Sequence, residues 1–203
     1  MSSAPPDGSL DRALAAHHGL IAGVDEVGRG AIAGPVTVAA VVLDPARPIA
    51  GLDDSKRLRP AVRERLALEI LEKAVAYAVA QRSPAEIDRI NILEATRAAM
   101  VEAIRALGAG FGLVVSDAVT LPGLVVPVLA EPRADGRYQC VAAASILAKV
   151  VRDRAMVALE REHPGYGWAS NKGYPTPEHL EALRRLGASA LHRTTFAPVR
   201  VLA

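Results

Sequence analysis

The segment Pro35 to Leu43 reads Pro-Val-Thr-Val-Ala-Ala-Val-Val-Leu and scarcely alternates between apolar and polar residues. A strand with one wet face would alternate, so this run predicts a strand that is mostly buried. Asp44-Pro45 ends it. Four further segments have strand character: Leu20–Val24, Tyr77–Ala80, Leu113–Val115 and Leu124–Leu129. Pro127 places the last at an edge or an irregularity, because proline has no N–H for the ladder. Helical spacing is found over Pro60–Lys73, Leu93–Leu107, Val141–Arg161 and Pro177–Leu186, and Ser83-Pro84-Ala85-Glu86 has the form of a capped helix start. Strands clustered first and then alternating with helices predict an α/β layer fold with a mixed sheet.

Only 3% of the 203 residues are aromatic while 51% are hydrophobic, so the core must be built from Ala, Val, Leu and Ile. This length suits one domain; residues 1–18 read as a flexible N-terminal tail and 19–203 as a single domain. The longest apolar stretch, Ala31–Leu43, contains Gly34 and Pro35 and falls short of the ~20 residues a membrane helix needs. No signal-peptide pattern opens the chain, and the single cysteine, Cys140, cannot form an internal disulfide and lies in an apolar run; both fit a core residue of a cytoplasmic protein. A net charge of +2 says little about partners, so binding has to be argued from local clusters.

Carboxylates stand at the ends of the apolar runs. Asp25 and Glu26 follow the first, Asp117 follows Leu113–Ser116, and Asp135 precedes the long helix. Strands gathered into one sheet lie ~4.8 Å apart, which would bring such ends together. Acids so placed repel one another unless neutralised, and hard oxygen donors suit Mg²⁺ or Mn²⁺. The plainer alternative is that they are ordinary acids of turns and caps. Gly28-Arg29-Gly30 leaves backbone amides open to a ligand, or is simply a tight turn; it matches neither a dinucleotide nor a Walker A loop. Asp54-Ser55-Lys56-Arg57 combines a hydroxyl with two cations, suited to a phosphate or merely solvated.

In combination these segments resemble the type 2 ribonucleases H of the ribonuclease HII family. The likeness is carried, in order from about residue 20 to 200, by residues 22–30 (AGVDEVGRG), 54–58 (DSKRL), Asn91-Ile92-Leu93, 143–150 (AASILAKV), 171–176 (NKGYPT) and His192-Arg193. The resemblance implies a ribonuclease H-like fold, with a central mixed five-stranded sheet flanked by helices and a C-terminal helical extension. It implies an endonuclease that hydrolyses the RNA strand of RNA/DNA hybrids and cuts 5′ of single ribonucleotides in duplex DNA, leaving 5′-phosphate and 3′-hydroxyl ends. Its partners would be these duplexes, its state monomeric, its role the removal of ribonucleotides and RNA primers. Asp25, Glu26, Asp117 and Asp135 match the acids that hold two Mg²⁺ or Mn²⁺ ions. Gly28, Arg29 and Gly30 match the turn that senses the ribose 2′-hydroxyl, and Tyr174 the tyrosine that packs on the adjoining sugar. Ser55, Lys56 and Lys172 are expected near phosphates. His192 and Arg193 are read as backbone contacts or surface residues, and His17, His18, His163 and His179 as structural or solvent-facing. The chain departs from the pattern at Ala118-Val119 and around Arg133-Ala134-Asp135-Gly136. The competing readings are another carboxylate-metal nuclease on the same fold and a nucleic-acid binding module without catalysis.

Overall fold

A computed structural model describes residues 4–202. In chain order the elements are α1 (Ser9–His18), β1 (Ile21–Val27), β2 (Val36–Val42), α2 (Pro60–Lys73), β3 (Ala76–Arg82), α3 (Pro84–Ile90), α4 (Ile92–Ala106), β4 (Leu113–Asp117), β5 (Val128–Glu131), α5 (Gln139–Glu162), α6 (Trp168–Asn171), α7 (Pro177–Leu186) and α8 (Ala197–Leu202). The strands form one five-stranded sheet in the order β3-β2-β1-β4-β5. β1 pairs antiparallel with β2 and β2 with β3, whereas β1–β4 and β4–β5 are parallel. The sheet is therefore mixed, as expected.

All seven residues of β2 are buried, which is the consequence of its unbroken apolar run. On one face Ala22, Val24, Val38, Ala40 and Val114 pack against Ala99, Met100 and Ala103 of α4. On the other, Ala39 and Val41 pack against α2 and the Ala- and Ile-rich stretch of α5. Small residues let the layers approach closely. A Cβ on Gly23 would lie 2.2 Å from the backbone carbon of Cys140, so α5 rests directly on β1 only because that position is glycine. Cys140 is buried there, as its apolar surroundings predict.

Three expectations need correction. The tail expected over residues 1–18 does not hold for Ser9–His18, which form α1. Asp11 fastens this helix by accepting the N–H groups of Gln139 and Cys140, at 2.9 and 3.0 Å, and so caps the start of α5. Residues 1–3 of that expected tail lie outside the described residues. The fifth strand spans Val128–Glu131 rather than Leu124–Leu129. Pro127 contributes only its carbonyl, which accepts the Val114 N–H, and pairing runs on from there at the sheet edge. Finally, His192 and Arg193 are not on the surface: both are buried. The Arg193 guanidinium donates to the carbonyls of Gly34 and Arg29, and Arg152, equally buried, donates to those of Ala33, Pro35 and Lys172. These two arginines pin the C-terminal helices to the β1–β2 connection.

Candidate active site

Asp25 is the fifth residue of β1, and Asp117 ends β4. Val24 pairs with Ser116 in parallel register, so Asp25 and Asp117 follow side by side on the α5 face of neighbouring strands. Asp135 lies on a single 3₁₀ turn, Ala134–Gly136, just before α5. Glu26 follows Asp25, and both Asp25 and Asp135 are buried.

These acids lie close enough to act on one another's charge. Burial raises the Asp25 carboxyl well above the usual range, the charges of Glu26 and Asp135 push the same way, and a hydrogen bond from Ser145 opposes them. Glu26 is raised by burial and by Asp117, against the stabilising pull of Arg29, whose Nη1 is 3.1 Å from Oε1. Asp135 is raised by burial first and then by Asp54, with Lys56 opposing and Asp117 adding to the rise. Lys56 gives the clearest report. Burial alone would lower its pKa, yet the fields of Asp54, Asp135, Asp25 and Asp117 acting together raise it. Its Nζ is 3.7 Å from Asp135 and 3.9 Å from Asp54.

The donor set fits a hard divalent cation. It is all oxygen, its charges exceed those of the nearby cations, and Glu26 Oε2 is buried with no hydrogen-bond partner. Among the described residues no three of these side chains already converge on one point as ligands. Each is held by another partner: Glu26 by Arg29, Asp135 by Lys56, and Asp117 by the N–H groups of Arg133 and Ala134. Binding an ion requires exchange of these contacts.

The turn after β1 borders this pocket. Gly28 has φ 92° and a Cβ there would lie 2.1 Å from Arg152 Nε, so both conformation and space demand glycine. Gly30 has an open side that faces Tyr174, whose Cε1 would be 4.0 Å from a Cβ at that position. The half-buried Tyr174 ring lies over the Arg152 guanidinium, 5.5 Å from it. Gly28, Arg29, Gly30 and Tyr174, distant in sequence, are thus one surface. Lys56 joins the acids. Ser55 differs: its hydroxyl is buried and sits 3.0 Å from that of Ser145, directed inward. Lys172, in left-handed backbone with φ 52°, bonds through Nζ to the carbonyl of Ala169 and lines a cavity of about 670 Å³ with Arg63, Lys149, Arg154 and Arg161.

Two neighbours of the acids escaped the sequence reading. Asp54 adds its charge to Asp135, and Ser145 reaches both Asp25 and Ser55. Asp54 lay within a cluster read for its cations, and Ser145 within a helix stretch indistinguishable from core.

A mixed five-stranded sheet with helices on both faces, and with acids at the ends of its central parallel strands, defines a ribonuclease H-like nucleic-acid hydrolase. The comparisons agree. A profile described as Ribonuclease HII matches residues 22–199, and the chain belongs to the ribonuclease HII family. The ribonuclease H2 of Pyrococcus horikoshii OT3 is 30% identical, with 90% of this chain and 96% of that one covered at a TM-score of 0.77. The RNase HII of Archaeoglobus fulgidus, solved as a complex with PCNA, is 30% identical, with coverage of 87% and 95% and a TM-score of 0.74. Bst-RNase HIII, solved in complex with Mn²⁺, shares the fold at 24% identity and a TM-score of 0.67, over 89% of this chain and 68% of that one. The protein is accordingly a ribonuclease H, a hydrolase of a family that acts on RNA/DNA hybrids and depends on divalent metal. No helix among the described residues is long and apolar enough to cross a membrane.

Proposed function

We propose that this ribonuclease H cuts both RNA/DNA hybrids and duplex DNA carrying a single ribonucleotide, on the 5′ side of the ribonucleotide, leaving 5′-phosphate and 3′-hydroxyl ends. The observation that carries this reading is the contact surface of Gly30 and Tyr174 beside the pocket of Asp25, Glu26, Asp117 and Asp135. A sugar seated against Gly28-Arg29-Gly30 would expose its 2′-hydroxyl to backbone groups that no side chain shields, and the 2′-hydroxyl is what separates RNA from DNA. Tyr174 would pack on the adjoining deoxyribose. Asp25, Glu26, Asp117 and Asp135 would hold two Mg²⁺ or Mn²⁺ ions. Such ions, when bound, supply an activated water and charge stabilisation at the leaving oxygen. Lys56 and Lys172 would hold flanking phosphates, and Ser55 would support the pocket through Ser145 rather than reach a phosphate with its own hydroxyl. A cytoplasmic monomer removing misincorporated ribonucleotides and RNA primers fits this chemistry.

The test is a panel of duplexes with no ribonucleotide, one, and a run of four, in Mg²⁺ and in Mn²⁺. Cleavage of the one- and four-ribonucleotide duplexes, none of all-DNA, and loss of both activities in Asp25→Asn are expected. Cutting of all-DNA duplex at a comparable rate would replace this reading by that of a general nuclease of the same fold, and binding without cleavage by that of a bare binding module.

A further inference from the structure

Tyr174 is held from behind by a buried hydrogen-bond chain whose protonation states its partners fix. Trp168 Nε1–H can only donate, and it meets His179 Nε2 at 3.0 Å. That nitrogen therefore carries no proton, and Nδ1 carries it, donating to the carbonyl of Tyr174 at 2.8 Å. The Ser189 N–H likewise can only donate, and it meets His192 Nδ1 at 3.0 Å. His192 is thus protonated on Nε2, which lies 3.2 Å from His179 Nε2 and donates to it. Both rings are neutral, in opposite tautomers, and both are buried with Trp168. Protonating either one sets two hydrogens against each other.

The segment carrying Tyr174 is fixed at three successive carbonyls. Arg152 donates to Lys172 O at 2.8 Å, Ile32 N–H donates to Gly173 O at 2.8 Å, and His179 holds Tyr174 O. The first two ties come from the body of the fold, and the third from the C-terminal helices. Tyr174's own carbonyl accepts both the Thr176 N–H, at 2.8 Å within the local turn, and His179 Nδ1–H, the one tie that links it to α7 and the histidine pair.

We propose that His179 is a positioning residue for Tyr174, with its tautomer set by Trp168 and reinforced by His192, and that this hydrogen-bond chain tunes cleavage at a lone ribonucleotide. This rests on the reading of Tyr174 given under Proposed function. His179→Phe keeps a flat ring but has no Nδ1–H, and His179→Asn places a side-chain amide N–H where Nδ1–H was. On a duplex with one ribonucleotide, His179→Phe should lower kcat about 10-fold with KM changed less than about 3-fold, in line with the cost of sub-ångström misplacement. A run of four ribonucleotides should be cut with less than about a 3-fold loss, and His179→Asn should recover most of the single-site rate. In a Tyr174→Ala background His179→Phe should add no further loss. An equal loss on both substrates, or the same loss without Tyr174, would show a merely structural role and overturn the proposal. If Tyr174→Ala itself shows no selective loss, the reading of Tyr174 fails, and this proposal with it; if that selectivity is present and only the cycle is additive, this proposal alone fails. Long-range ¹⁵N–¹H spectra give a check that needs no activity: His179 protonated on Nε2 near neutral pH would sink the assignment. Should His179→Phe melt too low to assay, His179→Leu, smaller and equally without an Nδ1–H, must give the same selective loss.

Discussion

Asp117 accepts the backbone N–H of Arg133 at 2.6 Å, and that of Ala134 at 3.3 Å, through the same oxygen. One acid of the pocket thereby builds the turn that delivers another, Asp135. Arg133 sits at φ 61° to make this possible, a left-handed conformation that costs a residue with a Cβ about 1–2 kcal/mol. Arg133→Gly should therefore raise stability by about 0.5–1 kcal/mol and keep hybrid cleavage within about 2-fold. Arg133→Pro removes the N–H and forbids the positive φ; it should lower cleavage by at least about 10-fold. Paired urea melts and rates decide it, and unchanged activity in Arg133→Pro would sever Asp117 from the turn.

Without a metal, the pocket stores repulsion. Asp25 is raised by burial and by the charges of Glu26 and Asp135, so ionising it weakens the folded state. The sign is the reverse of a salt-bridged acid: the folded state binds the proton more tightly than the unfolded chain, and stability is lost as pH rises through the raised value. In chelator at neutral pH, Asp25→Asn should melt higher than the wild-type protein, each 1 kcal/mol appearing as about 2–4 °C at this chain length. Added Mn²⁺ should raise the wild-type melting temperature and leave Asp25→Asn nearly unmoved. A wild-type protein indifferent to Mn²⁺ would place the ions elsewhere.

Arg193 carries a structural load the sequence reading left open. Its guanidinium satisfies the carbonyls of Gly34 and Arg29 inside the fold, and its Cζ lies 5.2 Å from the ring centroid of Phe196. Arg193→Met leaves those acceptors unpaired at about 1–3 kcal/mol each, so a loss of about 2–5 kcal/mol is expected. Because Arg29 is one of them, KM for hybrid should rise as well. A melting temperature within 2 °C of wild type, on the scale of about 2–4 °C per kcal/mol, would contradict this account.

The sheet was legible because its signals are local. The unbroken run of β2 forces two covering layers, and the Ser83/Glu86 pair forms the capping box it spells. Asp25 and Asp117 were legible as strand ends, though only the β1–β4 register brings them together. What escaped depends on distant partners. Ser9–His18 has no strong apolar stripe, and its helix is held by Asp11 reaching residues 128 and 129 positions away. His179 read as structural or solvent-facing without a choice between the two, because Trp168, His192 and the Tyr174 carbonyl meet it only in the folded chain. The inward turn of Ser55 depends on Ser145 across the helix layer, and nothing in the Asp54–Arg57 run distinguishes that from a phosphate contact.

Asp11 makes the first of these testable. It supplies acceptors for two N–H groups at the start of α5, a helix with no side-chain cap from its own N-cap residue, Tyr138. Asp11→Ala should cost about 1–2 kcal/mol, the usual worth of a cap. Hydrogen exchange should quicken at Gln139 and Cys140 and through α1, while Met156, deep in the same helix, stays protected. Protection unchanged at residues 139 and 140 would mean that the cap contributes nothing.

The histidine pair should appear in the dependence of stability on pH. Burial, reinforced by the neighbouring His179, pushes His192 down to about 4, and burial also lowers His179, with the Tyr174 carbonyl and the Glu160 charge opposing. The unfolded chain takes up these protons near pH 6.5, the folded protein only far lower. Between those values the unfolded state binds more protons, so stability is full above about pH 6.5 and falls as pH drops toward 4. The raised acids of the pocket change stability the opposite way as pH falls, so the histidine effect is read as a difference between proteins. His192→Gln should be less stable than wild type at pH 7.5, and the gap should narrow steadily by pH 5, because the variant has one fewer proton to gain on unfolding. The midpoints of thermal melts at half-unit steps measure it. A gap that stays constant across that range would mean that His192 is not held neutral by the fold.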